Sequence, residues 1–293
     1  MTILPDRKHL KQGKNFLFLF SVILLTLILV TPSYRSNILV NFREGFGRPV
    51  LKTICIAAGK VDFSGRKKKY ISRTDLRNIK SELKPGDIIF RRNSDQLSNI
   101  AISGFWTHSG IYLGGKEEIN DFFLNINLPD GLKPSEYIEQ YFPDVSRKLA
   151  MRHNLVIEAV GEGVTINSID LFANSDYFSA VRPVMSKDDL FRVLIAAFEN
   201  FGRPYDFLFS QESNETLYCS EFVLKSFLKA GSNLHFSDSR LTDEDIITPN
   251  EIAVNVSGND SSFQFILFYC ADEHVKKAFR KNKEEFIMYA ANQ

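Results

Sequence analysis

A histidine and a cysteine lie in two short strings whose chemistry is complementary. FWTHSGIYLG, residues 105 to 114, carries His108, and LYCSEFV, residues 217 to 223, carries Cys219. Together they suggest a cysteine nucleophile beside a base. In the first string His108, Gly110 and Tyr112 alternate with Ser109, Ile111 and Leu113, the period-2 pattern of a strand with one buried face, which would hold the imidazole on a rigid element. The second string begins a helix: Glu221, Phe222, Val223, Leu224, Phe227 and Leu228 are followed by Gly231, a terminating residue, so Cys219 falls at or beside the helix N-terminus. Unpaired backbone N–H groups and the helix dipole favour a thiolate there, and a neighbouring imidazolium lowers the thiol pKa further. A positioned base and an acidified thiol are what nucleophilic catalysis requires.

A lone cysteine is ordinarily a small buried hydrophobe, so the surrounding elements carry the argument. LKPGDIIFRR, residues 83 to 92, has the turn pair Pro85-Gly86 followed by an apolar strand, and leads through a short connection into the His108 strand. NLVIEAVGEGVTINSI, residues 154 to 169, reads as a hairpin turning at Gly161-Glu162-Gly163. Glu158 lies in its first strand between Ile157 and Ala159. A carboxylate there is costly to bury unless paired, and an imidazole N–H is a suitable partner.

Six strings occur in this order: PGDIIF (85 to 90), THSGIYLG (107 to 114), VIEA (156 to 159), GRPYDFLF (202 to 209), YCSEFV (218 to 223) and ITPNEIA (247 to 253). On these strings the chain, over about residues 80 to 255, resembles the permuted papain-like amidases of the YiiX and YaeF type, relatives of the NlpC cell-wall peptidases. In papain the cysteine precedes the histidine. In the permuted group the order is histidine, third polar residue, cysteine, as here. The resemblance implies that Cys219 is the nucleophile, His108 the general base and acid, and Glu158 the residue that orients His108. It also implies an α+β fold, circularly permuted papain-like (NlpC-like), with a small, mostly antiparallel sheet packed against helices. The substrate implied is peptide-like or acyl, in cell-wall material on the hydrolase reading. The same fold group includes the lecithin:retinol acyltransferase type, whose cysteine motif NCEHFV differs from YCSEFV at its flanks. Acyl transfer to a lipid or amine acceptor is the second reading, and a non-catalytic binding module the third.

The chain departs from the family pattern in one stretch. Forty-nine residues separate His108 from Glu158, and residues 121 to 148 look inserted. Phe122, Phe123, Tyr137, Tyr141 and Phe142 in this insertion offer aromatic surface for a cleft or membrane, or for simple packing. His153 is the rival orienter of His108, although in a regular strand it would face away from Glu158.

The net charge of +1 conceals an asymmetry. Residues 1 to 80 carry 16 Lys and Arg against 4 Asp and Glu, a balance of +12, so residues 81 to 293 carry −11. The cationic part is not the part with the chemistry, which argues against a nucleic-acid partner. Phe16 to Val30 is uncharged and the most apolar stretch; with its flanks it forms a transmembrane helix over 15 to 34, after a basic segment 1 to 14. The competing reading is a cleaved signal peptide, but TPSYRS after the apolar core lacks an A-x-A site. A single early span with a basic start leaves its N-terminus in the cytoplasm, so the expected location is single-pass membrane, with the catalytic domain periplasmic or extracellular. Residues 35 to 79 form a basic stalk, with a short helix over 48 to 60 and the run Arg66, Lys67, Lys68, Lys69, which either meets anionic headgroups at about 1 kcal/mol each or serves as a merely solubilising linker. The catalytic domain is then 80 to 293.

Cys55, Cys219 and Cys270 are far apart and have no CxxC or HExxH companion, and no glycine-rich phosphate loop is present, so no metal or other cofactor is implied. YFSAVRPV (177 to 184) reads as a strand. A helix follows, capped by Ser186 and ended by Gly202, with Leu190, Val193, Leu194, Ala197, Phe198 and Phe201 as its core stripe. Residues 272 to 293 read as one amphipathic helix anchored by Val275, Phe279, Phe286 and Ile287.

Overall fold

Alternating apolar runs in this chain pair into a single antiparallel sheet in the computed structural model, which describes residues 69–94, 102–207, 209, 215–231, 247–257 and 262–291. The strands are β1 (Ile88–Arg92), β2 (His108–Gly114), β3 (Leu155–Val160), β4 (Gly163–Ser168), β5 (Tyr177–Pro183), β6 (Phe263–Asp272) and β7 (Lys277–Lys281). Their order is β4-β3-β2-β1-β5-β6-β7, so the strand that begins with His108 is interior. The described helices are α1 (Arg73–Glu82), α2 (Lys116–Phe122), α3 (Pro134–Tyr141), α4 (Pro143–Met151), α5 (Ile169–Phe172), α6 (Lys187–Phe198), α7 (Cys219–Lys229), α8 (Pro249–Ser257) and α9 (Lys283–Ala291).

Both faces of the sheet are covered. Ile88, Phe90, Ile111, Leu113 and Ile157 face the α6 and α7 side, packed with Val193, Leu194, Phe222, Val223 and Phe227. Their strand neighbours Ile89, Tyr112 and Val156 turn to the opposite face, against Ile79 and Leu83 at α1 and Ile169 and Phe172 of α5. The expectation of one buried face for the His108 strand is therefore corrected: period-2 alternation there separates two cores.

The PGD string before β1 has a structural cause. Asp87 is fully buried and receives both Nε and Nη2 of Arg182 on β5 at 2.8 Å each, while its Oδ2 accepts the Lys84 N–H at 2.8 Å. Gly86 has φ +94° and its missing side chain makes room for Leu190 of α6.

Three readings change in detail. The β3–β4 hairpin turns on two residues, Gly161 and Glu162, with Gly163 already paired to Val160. The insertion folds as helices against the α6 core: Phe123 and Tyr137 pack on Phe191 at 5.2 and 6.0 Å between ring centroids, and Phe142 on Phe198 at 5.9 Å. The C-terminal stretch is an edge strand and a short helix, because the largely apolar run FQFILFYCAD forms β6 and KAFRK pairs beside it as β7. Of its four expected anchors, Phe286 is buried, while Val275 and Phe279 are exposed.

No described helix is long and apolar enough to cross a membrane. The expected span 15–34, the helix over 48 to 60 and Cys55 lie outside the described residues.

Candidate active site

Helix α7 begins at Cys219 because Tyr218, in an extended conformation, ends the preceding segment. Phe222, Val223 and Phe227 bury one face of the helix against β2 and β3. Its start is tied down from the other side as well. The Tyr218 hydroxyl accepts the Ile247 N–H at 3.1 Å, and Ser220 Oγ donates to the Ile247 carbonyl at 2.6 Å. The ITPNEIA string thus fixes the cysteine helix to α8.

Asn250 in the same string fixes the approach to His108. It is buried, its Oδ1 accepts the N–H groups of Phe105 and Trp106 at 3.0 and 3.1 Å, and its Nδ2 donates to the Ala290 carbonyl at 2.9 Å. Gly104, at φ +90°, lies against the Asn250 side chain where no Cβ would fit.

The structure brings His108, Glu158 and Cys219 together. His108 Nε2 lies 2.6 Å from Glu158 Oε2. The Cys219 thiol faces the same imidazole, close enough for each group to shift the other's pKa, and with Nε2 engaged by the carboxylate, Nδ1 is the ring nitrogen that remains for the sulfur. The backbone N–H groups of Ser109 and Ser220 also favour the thiolate. Glu158 is 1% exposed and its Oε1 accepts from Asn167 Nδ2 at 2.9 Å. Gly110 supplies the room. The β2–β3 register, continued one step from Ile111↔Ile157, sets Gly110 opposite Glu158, and a Cβ on Gly110 would sit 3.2 Å from Glu158 Cβ and 3.1 Å from the Ile157 carbonyl.

Arg91 completes the cluster. It pairs with His108 across β1 and β2, lies 3.9 Å from Glu158 Oε2, and stacks 4.8 Å above the Phe172 ring, which in turn lies 5.4 Å from the His108 ring. His153, the rival orienter, is not in the cluster. It precedes β3, is 74% exposed, and its Nδ1 lies 3.6 Å from Glu117 Oε2.

The electrostatics favour charge separation. Burial raises the Cys219 thiol, but the facing imidazole and the two backbone N–H groups outweigh it and bring the pKa below 9.0. Burial and Arg91 oppose charge on His108, while Cys219 and Glu158 more than offset them and raise the imidazole above 6.5. Burial likewise raises Glu158, yet the bonds to His108 and Asn167 and the field of Arg91 hold it at about 2. The carboxylate is therefore ionised near neutrality, and as an acceptor it fixes Nε2 as the donor. The shifts of thiol and imidazole both promote a thiolate–imidazolium pair.

A cavity of about 160 Å3 opens on the sulfur, with Ile102, Ser103, Tyr218, Ile247 and Pro249 among its walls. None of its lining residues comes from 121–148. Of the two alternatives for this stretch, packing is the one the contacts support, since Phe123, Tyr137 and Phe142 lie on the rings of α6, while Tyr141 stays 49% exposed.

Arg91, Asn167 and Phe172 escaped the sequence reading. Asn167 was within reach: the hairpin register puts Thr165 opposite Glu158, and Asn167 is the next residue on the same face. Arg91 required the β1–β2 register, which no turn signal in the sequence between Arg92 and His108 sets.

A thiol at the head of a helix, laid on antiparallel strands that carry an imidazole and a carboxylate in the order His, Glu, Cys, defines the papain-like architecture in permuted order. Residues 82–278 match the permuted papain-like amidase enzymes of the YaeF/YiiX, C92 family, and the chain belongs to that family. No curated protein and no solved structure matches the chain.

Proposed function

We propose that this protein is a membrane-anchored cysteine hydrolase that cleaves a peptide-like amide through Cys219, His108 and Glu158. The observation that carries the reading is His108 bridging a buried, ionised carboxylate and a thiol at a helix start. The Cys219 thiolate attacks the carbonyl carbon and a C–S bond forms. The oxyanion meets the backbone N–H of Cys219 in the first turn of α7, where helix N–H groups lack intrahelical partners. His108 gives its proton to the leaving nitrogen as the C–N bond breaks, leaving a thioester. Water, deprotonated by His108, then attacks the thioester, releasing the acid and restoring the thiol. Glu158 holds the ring and stabilises its cationic form, as third members of such triads do.

Anchorage rests on the uncharged run Phe16–Val30 behind Arg7, Lys8, Lys11 and Lys14, with the catalytic domain on the far side of the membrane from that basic start. An outward location suits cell-wall peptide as substrate. The test is product analysis with the purified full chain and a panel of acylated peptides and amines. Release of free acid supports hydrolysis; accumulation of a new amide or ester on an added acceptor would assign the protein to acyl transfer instead.

A further inference from the structure

The described part of the chain starts at the sheet edge, where the Ala278 N–H of β7 donates to the Tyr70 carbonyl at 3.2 Å. A cavity of about 620 Å3 opens at this junction, walled by Lys69, Tyr70, Ser72, Asp75, Lys276 and Lys277. Three lysines from two distant parts of the sequence thus line one cavity. The acidic side chain on the wall, Asp75, is turned to the start of α1, where it accepts the Ser72 N–H at 2.9 Å. In the turn, Asp272 is likewise engaged, accepting the N–H groups of His274 and Val275 at 2.9 and 3.1 Å.

The nearby cations divide into two kinds. Arg280 is held by both oxygens of Glu82 at 2.6 and 2.7 Å, and Lys281 by Glu285 at 2.8 Å. Lys276 and Lys277 have no acidic partner among the described residues. Beside them Val275 and Phe279 are 53% and 45% exposed. This mixture of free lysines and apolar side chains stands out on a domain whose residues 81 to 293 carry −11.

We propose that the β6–β7 turn and the adjoining chain at Lys69 form a docking surface for anionic phospholipid. The ammonium groups of Lys276 and Lys277 take headgroup phosphates, and Val275 enters the interfacial layer. Two features favour a membrane over nucleic acid or an acidic protein. The exposed apolar side chains have no use against a phosphate backbone. The surface is also continuous in sequence with Arg66–Lys69, downstream of the apolar run Phe16–Val30. Lysines this close to an anionic leaflet contribute in proportion to their number, so the surface would hold the domain against its membrane. The inference deepens the membrane part of the proposed function and is independent of the chemistry.

The test is hydrogen–deuterium exchange of residues 272 to 283 in the full chain, reconstituted in vesicles of phosphatidylcholine alone or with added phosphatidylglycerol. Slower exchange only in the anionic vesicles is expected. The protection should disappear in high salt and in the double variant Lys276→Glu, Lys277→Glu, with hydrolysis of a soluble ester unchanged. Equal exchange in the two vesicle types would overturn the proposal. So would equal protection by soluble glycerol phosphate or by an oligonucleotide, since each would assign the surface to another anion. Flotation with the phosphatidylcholine vesicles reports the anchor separately: a chain that fails to float there but gains protection on anionic vesicles loses the anchor and keeps the docking surface.

Discussion

Nε2 of His108 and Oε2 of Glu158 stand 2.6 Å apart, on adjacent strands, over the space left by Gly110. The contact explains why a carboxylate is tolerated between Ile157 and Ala159, and it fixes which imidazole nitrogen faces the sulfur. Glu158→Gln keeps the shape and removes the charge. The variant should fold and retain activity, with kcat/KM lower by roughly 10- to 100-fold, a part of the 10²–10⁴ that general acid–base catalysis supplies. Without the negative charge the imidazolium is less stable, so the alkaline limb of the pH–rate profile should move to lower pH. An unchanged profile for this variant, with a collapsed one for His153→Ala, would transfer the orienting role to His153.

The same carboxylate makes a prediction about folding. Its pKa is depressed from 4.5 to about 2 in the native state, so its contribution to stability is complete above 4.5 and is lost as the pH falls toward 2. Acid unfolding of Glu158→Gln should lack that part of the pH dependence. Chemical denaturation at a series of pH values across this window checks it.

Arg91 acts through its neighbours and is a positioning residue. Its positive charge opposes the imidazolium and supports the ionised Glu158. In Arg91→Met the direct effect on His108 should dominate, moving the alkaline limb to higher pH, opposite in sign to Glu158→Gln. A shift in the same direction as Glu158→Gln would show that Arg91 acts mainly by holding the carboxylate.

The residues that meet in the candidate site, His108, Glu158 and Cys219, were legible in the sequence, and so were β1, β3, β5, α6 and α7, because their apolar spacing and turn residues agree with their tertiary surroundings. Failures occurred where local pattern and tertiary packing diverge. Val275 and Phe279 looked like helix anchors, but the apolar run through Phe263–Asp272 pairs with Phe178–Pro183 and draws β7 into the sheet behind it. The aromatic residues of 121–148 left cleft and packing equally open in the sequence, and three of them, Phe123, Tyr137 and Phe142, pack on α6. Arg91 and Phe172 act through the third dimension, one across a strand pair and the other from a one-turn helix, and no spacing in the sequence marks either.

The insertion should therefore matter for stability and little for substrate. Phe123→Ala removes a fully buried ring packed on Phe191, at a cost of about 3–5 kcal/mol in unfolding free energy. KM for any substrate should be unchanged at a temperature where the variant is folded. A large rise in KM without loss of stability would restore a role in substrate access.

Cys219→Ala and His108→Ala should each lower hydrolysis by roughly 10³-fold or more, since nucleophile and base act as a unit. Far-ultraviolet circular dichroism should match that of the parent. Retention of near-normal turnover by either variant would remove the cysteine-hydrolase reading.

The rate of iodoacetamide alkylation at Cys219, followed by peptide mass spectrometry across pH 5 to 9, reads the thiolate itself and needs no substrate. Cys219 should react well below the pH at which an ordinary thiol of pKa about 8.5 ionises, while Cys270, whose thiol is raised by burial, should not. His108→Ala should return Cys219 to an ordinary thiol profile. If Cys219 and Cys270 label in parallel in the parent protein, and His108→Ala changes nothing, then Cys219 is not an activated nucleophile.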